Sequence, residues 1–165
     1  MYKRQFVYVK EGLAGRKFPM PTQSITLDQH GCRYVPHVFG IQVGQTLEIL
    51  NSDPTLHNIH ATPKGNQEFN MGQPIQGMKF ERKFSKPEIM VPFKCDVHGW
   101  MNAYVGVLEH PYFDTTGSDG KFDISTLPPG DYVIEAWHEK LGAQTQNVTI
   151  GEKETKEITF TFNMS

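Results

Sequence analysis

Cysteine is scarce in this chain: two in 165 residues allow at most one bridge, so no disulfide framework holds the fold together. A chain of that length buries roughly two-thirds of its unfolded surface and does not need one. Charge of one sign is missing as well. The 16 Lys and Arg against 18 Asp and Glu leave a net charge of -2, without the clustered cationic excess that binding to nucleic acid or an anionic membrane requires. No apolar run approaches the roughly 18 residues of a membrane span. No stretch keeps the apolar i, i+3, i+4, i+7 pattern over three turns, which excludes long amphipathic helices. A signal peptide is not visible either, because Met1–Gln5 passes straight into Phe6-Val7-Tyr8-Val9 without an apolar core or a small-residue cleavage site. Met1–Gln5 matches the translation of GTG TAT AAG AGA CAG, a transposon adapter of sequencing libraries. These five residues are therefore expected to be an artefact of truncation that took any leader with it.

What the chain does have is punctuation, with 15 Gly and 11 Pro spread between short alternating runs. Strands are predicted at Phe6–Val9, Ile41–Val43, Thr46–Leu50, Ile59–Ala61, Met78–Phe84, Val91–Lys94, Ala103–Leu108, Phe122–Ile124, Tyr132–Trp137, Gln146–Ile150 and Glu157–Phe162. Asp119-Gly120 and Pro128-Pro129-Gly130-Asp131 read as tight turns, and Thr62–Gly77, rich in Gly, Pro, Asn and Gln, as a long surface loop. The expected fold is all-β, a Greek-key sandwich with a second, smaller sandwich. Composition shifts near His110-Pro111: His, Met and Cys concentrate before it, Thr, Gly and acidic residues after it. A domain boundary is placed there.

The chemistry concentrates in Cys95-Asp96-Val97-His98-Gly99-Trp100-Met101. A Cys, a His three later and a Met three beyond, on a tight loop between two predicted strands, bring thiolate, imidazole and thioether around one point. Leu56-His57-Asn58-Ile59-His60 offers a further nitrogen. Two His and one Cys with a weak axial Met make the donor set of blue-copper electron transfer. His60, an odd number of residues from His57 on a strand, faces the other way and is read as a non-ligand. Two rivals stay open: a zinc site of His57, His60, Cys95 and His98, which leaves Met101 without a role, and a Cys32–Cys95 disulfide, which removes the thiolate. Cys32, with His30 and His37 nearby, is read as a small buried side chain in the first strand, the alternative being a second metal site or a contact to a partner cofactor.

On these residues the sequence resembles the cupredoxins, the amicyanin group most closely. Their C-x-x-H-x-x-M loop matches Cys95, His98 and Met101, their H-N-V-H stretch is similar to His57-Asn58-Ile59-His60, and their F-x-P, G and N-x-D positions resemble Tyr34-Val35-Pro36, Gly44 and Asn51-Ser52-Asp53. The resemblance covers roughly Phe18–Glu109, and 18–110 is taken as the copper domain. It implies one mononuclear type 1 copper held by His57, Cys95 and His98 with Met101 axial, and Asn58 bracing the two ligand-bearing segments. It further implies His98 as the electron port, with Gly99, Trp100, Met71 and Pro74 as an apolar rim, export to the periplasm or exterior, and a redox partner such as a cytochrome or a copper or quinone oxidoreductase.

The second half resembles the carboxypeptidase regulatory-like, transthyretin-like sandwich through Asp119-Gly120-Lys121-Phe122-Asp123-Ile124 and Leu127-Pro128-Pro129-Gly130-Asp131-Tyr132. Residues 6–17 are expected to join 111–165 in that sheet, with the copper domain inserted between them. Trp137-His138-Glu139 is read as the solvated end of an edge strand. No base–nucleophile pair is visible, so the expectation is an electron carrier and not an enzyme. The alternatives are copper delivery without redox cycling and a non-catalytic interaction module.

Overall fold

The computed structural model describes residues 3–163, so Met1 and Tyr2 of the suspected adapter lie outside the described residues. The strands in chain order are β1 (Phe6–Glu11), β2 (Ile25–Gln29), β3 (Tyr34–Val35), β4 (Val38–Gln42), β5 (Leu47–Asn51), β6 (His57–Ala61) and β7 (Phe69–Gln73). They continue with β8 (Lys79–Arg82), β9 (Glu88–Lys94), β10 (Asn102–Leu108), β11 (Phe113–Thr115), β12 (Gly130–His138) and β13 (Gly142–Ile150). The fold is all-β, with no helix among the described residues and three sheets. Two compact units divide the chain: Phe18–Pro111, and Met1–Lys17 together with Tyr112–Ser165.

In Phe18–Pro111 a five-stranded sheet runs β4-β10-β9-β6-β7 and a four-stranded sheet β3-β2-β5-β8. Pairing is antiparallel except for β4 with β10 and β2 with β5, which are parallel crossovers. Side chains alternate as the pleat requires: in β5, Leu47, Ile49 and Asn51 are buried while Glu48 and Leu50 are partly exposed. The inner faces meet in one core, Leu27, Leu47 and Ile49 from one sheet and Ile41, Ile59, Val91, Phe93 and Val105 from the other. Each such side chain contributes about 1.5–3 kcal/mol by leaving water. Phe93 anchors the aromatic part, its ring 6.4 Å from Phe39, 6.3 Å from Phe69 and 6.4 Å from Phe84. Gly44 turns β4 into β5 at φ 80°, where a Cβ would stand 2.8 Å from Met20 Sδ.

Sequence and structure part company at β7. The Gly, Asn and Gln content of Thr62–Gly77 reads as loop, yet Phe69–Gln73 pairs along the whole of β6, from His57↔Gln73 to Ala61↔Phe69. Gln73 explains it: fully buried, it donates to the Ile49 and Met78 carbonyls and so takes an inward position usually held by an apolar side chain.

In the other unit the sheet order is β11-β1-β12-β13. Phe6 to Val9 are all buried, and β1 pairs with β12 from Phe6↔Trp137 to Glu11↔Val133 and with β11 from Phe6↔Thr115 to Tyr8↔Phe113. Because β13 pairs with its other side, β12 is an interior strand, so Trp137 and His138 do not end an edge strand. Two predicted strands do not form. The Asp123 N–H goes to the Asp114 carboxylate, and the Gln144 and Gln146 side chains donate to the Thr161 and Thr159 carbonyls, so side chains take up groups that a ladder would use.

Candidate metal centre

Register delivers the first donor. β6 and β9 run antiparallel with His60↔Lys94 and Ala61↔Phe93, so His57 lies at the end of β6 beyond that ladder, on the side where the loop carrying Cys95 and His98 leaves β9. The loop closes on itself: the Cys95 N–H donates to the Met101 carbonyl at 3.1 Å and the Met101 N–H to the His98 carbonyl at 3.0 Å. Cys95 and His98 therefore converge on His57 from a turn pinned at both ends by β9 and β10.

One ligand atom from each of His57, Cys95 and His98 lies within 4.8 Å of the others. His57 Nδ1 is 3.2 Å from His98 Nδ1, and Cys95 Sγ is 3.8 Å from His98 Nδ1. Those separations suit one ion. Nitrogens about 2.0 Å and a sulfur about 2.3 Å from a common centre stand about 3.2 Å and 3.7 Å apart at angles between about 105° and 120°. His57 is fully buried, Cys95 nearly so, and His98 is half-buried, which gives the set one solvent-facing imidazole. Met101, buried, closes the loop, and both cysteines are free thiols.

Asp53, four residues before His57, decides which His57 nitrogen faces the centre. Its Oδ2 is 2.7 Å from His57 Nε2, and its two oxygens also accept the Gly31 and Cys32 N–H groups at 2.9 Å. Although burial raises it, the Cys32 N–H, His57 and the Gly31 N–H together lower the Asp53 pKa to about 2. An ionised carboxylate only accepts, so Nε2 carries the ring proton and Nδ1 presents its lone pair to Cys95 and His98. In the sequence Asp53 stands out only through the N-x-D pattern; a carboxylate four residues before a candidate ligand is the signal that points to it. Tyr34 likewise stands in the sequence only as a pattern position. Its buried hydroxyl donates to the Asn58 carbonyl, and burial, with Cys95 and Asp96 beside it, pushes its pKa far above the ordinary tyrosine range, so it stays protonated.

Asn58 joins the two segments: its Oδ1 accepts the Asp96 N–H at 2.6 Å and its Nδ2 donates to Asp96 and Asn70, both at 2.9 Å. His60 stands apart from the donor set, with Nε2 2.6 Å from Glu68, which removes it from the zinc alternative. Trp100 is 65% exposed, its ring 5.1 Å from that of His98 and its indole N–H donated to the Cys32 carbonyl at 2.9 Å. Gly99 and Pro74 are exposed, whereas Met71 packs against the core. Cys32 is neither buried nor in a strand: it is half-buried in the β2–β3 loop at φ 54°, where its N–H can reach Asp53. His37 lies elsewhere, bonded to the Asn102 carbonyl at 2.9 Å. His110 and Phe18 meet edge to face with ring centroids 6.4 Å apart, and His138 accepts the Lys140 N–H at 3.2 Å.

Two packed sheets with a His, Cys and His donor set describe a β-sandwich fitted to hold a soft or borderline metal ion. No family model matches the chain, and no curated protein does. Among solved structures it is similar to a copper-containing nitrite reductase from Thermus scotoductus SA-01, at 24% identity and a TM-score of 0.50 over 59% of this chain and 25% of that one. It is also similar to Cu(I) forms of two amicyanin variants, one at 20% identity and TM-score 0.45 over 51% of this chain and 81% of that one. The other stands at 17% and 0.44, over 61% and 97%. The likeness is one of fold: an all-β, cupredoxin-like sandwich. The chain spans a quarter of the nitrite reductase's length.

Proposed function

We propose that the protein is a mononuclear type 1 copper electron carrier, with His57, Cys95 and His98 as strong ligands and Met101 axial. The observation that carries this is the convergence of two imidazole nitrogens and a thiol within 4.8 Å, with the His57 proton held on its far side by Asp53. Copper in such a site supplies a one-electron Cu(II)/Cu(I) couple. The chain's part is to keep the donors still: His57 on a strand and locked to Asp53, the loop tied by Asn58 and by its own hydrogen bonds. His98 is the half-buried ligand and would be the route outward for the electron, with Gly99 and the exposed Trp100 ring, 5.1 Å away, as a surface for brief docking of a redox protein. No open ligand position is needed, which favours a carrier over an enzyme. We place the protein outside the cytoplasm, and we read the unit built on β1 and β12 as a transthyretin-like spacer or docking module.

The test is Cu(II) reconstitution followed by visible absorption and EPR. An intense thiolate-to-copper band at about 600 nm is expected, and Cys95→Ser should abolish it. A colourless complex favours copper delivery, and a Cys95→Ser protein that keeps the colour overturns the ligand assignment.

A further inference from the structure

His57 has two ring nitrogens facing different groups. Nδ1 looks toward His98, and Nε2 lies 2.7 Å from Asp53. On that side Cys32, Asp53 and His57 also bring one ligand atom each to within 4.8 Å of the others. Cys32 reaches this place through two successive left-handed residues, Gly31 at φ 63° and Cys32 at φ 54°, the second uncommon for a residue with a side chain. Both N–H groups of that turn hold Asp53, so the backbone that bends Cys32 inward also fixes the carboxylate beside it. His30 opens the same turn, its Nδ1 4.0 Å from Asp53 Oδ1 and its side chain largely exposed, free to swing onto the cluster.

We propose that Cys32, Asp53, His57 and His30 form a second metal site, selective for a borderline divalent cation of the zinc class, sharing His57 with the His57–Cys95–His98 set. One thiolate, one carboxylate and two imidazoles meet the tetrahedral sulfur, oxygen and nitrogen preference of Zn2+, whereas the softer first set holds a thiolate and an axial thioether instead of a carboxylate. Binding at Nε2 displaces the ring proton now donated to Asp53, and the Cys32 thiol loses its own, both passing to solvent. The site does not depend on copper chemistry at the first set.

The experiment is equilibrium dialysis of the full chain against Zn2+ alone, with bound metal counted, on folded proteins matched by circular dichroism. Wild type is expected to hold two equivalents, Cys32→Ser one, and the Cys95→Ser/His98→Ala double variant one. Substituting Co2+ in the double variant should give a thiolate charge-transfer band that a further Cys32→Ser change removes. No Zn2+ and no such band in the double variant overturns the proposal, as does a Cys32→Ser protein that binds as many ions as wild type. The copper reading is scored separately: Cu(II)-loaded Cys32→Ser should keep the colour due to Cys95, whatever the zinc count.

Discussion

Replacing Asp53 with Asn changes one oxygen to an NH2 group and tests how the buried carboxylate serves the candidate metal centre. Three N–H groups now converge on it, from Gly31, Cys32 and the His57 ring. An amide keeps one acceptor oxygen, so at least one charge-assisted bond is lost, and folding of the metal-free protein should weaken by about 1.5–3 kcal/mol. The second effect falls on His57. Facing an NH2 group, Nε2 gains by giving up its proton and accepting, which moves that proton to Nδ1 and removes the lone pair aimed at Cys95 and His98. Losing the partner of a metal-bound histidine typically weakens metal affinity 10- to 100-fold, or about 1.4–2.7 kcal/mol. Urea unfolding of the metal-free protein reads the first effect, and copper titration against a competing chelator reads the second. If stability falls while copper affinity stays within about twofold of wild type, Asp53 braces the β2–β3 turn and does not set the His57 tautomer.

Two further outcomes concern the sandwich itself. Phe93→Ala empties the junction of the Phe39, Phe69 and Phe84 rings and should cost about 3–5 kcal/mol in urea unfolding; a loss under about 1 kcal/mol would mean that the core collapses around the gap. Glu88 accepts the Lys64 and Gly65 N–H groups at 2.7 Å, and although burial opposes them, these bonds with those of Asn66 hold its carboxyl below the usual range. A depressed folded pKa contributes stability that is present above the unfolded pKa and is lost as pH falls through the folded one. Between about pH 6 and pH 3, wild type should therefore lose more stability than Glu88→Gln, and equal losses would refute the assignment.

The Cys95–Met101 loop stands out in the sequence because its residues are local: Cys95, His98 and Met101 share seven consecutive positions, and the structure brings Cys95 and His98 together with His57. His57 could be read from its neighbours as well. What spacing does not carry is which side chains from distant turns reach that point. Asp53 and Cys32 meet through a turn whose left-handed residues have no distinct sequence signal at Cys32, and Tyr34 reaches Cys95 only once β3 is in place. Strands were legible where apolar residues alternate, as in β5 and β10, and were missed where buried glutamines take inward positions, as in β2 and β7. The predicted strands at Phe122–Ile124 and Glu157–Phe162 had suitable residues, but side-chain acceptors and donors took their backbone groups.

The pairing of β1 with β12 has a consequence for the order of assembly. Phe6 and Trp137 are sheet partners separated by roughly 130 residues of chain, and all of Phe18–Pro111 lies between them. During synthesis β1 leaves the ribosome roughly 130 residues ahead of β12 and waits for that partner while all of Phe18–Pro111 is made. A folded intervening unit shortens that wait in conformational terms, since it replaces a long flexible loop with a compact body. Mutations that slow folding of Phe18–Pro111 should therefore also delay closure of a sheet to which they contribute no residue.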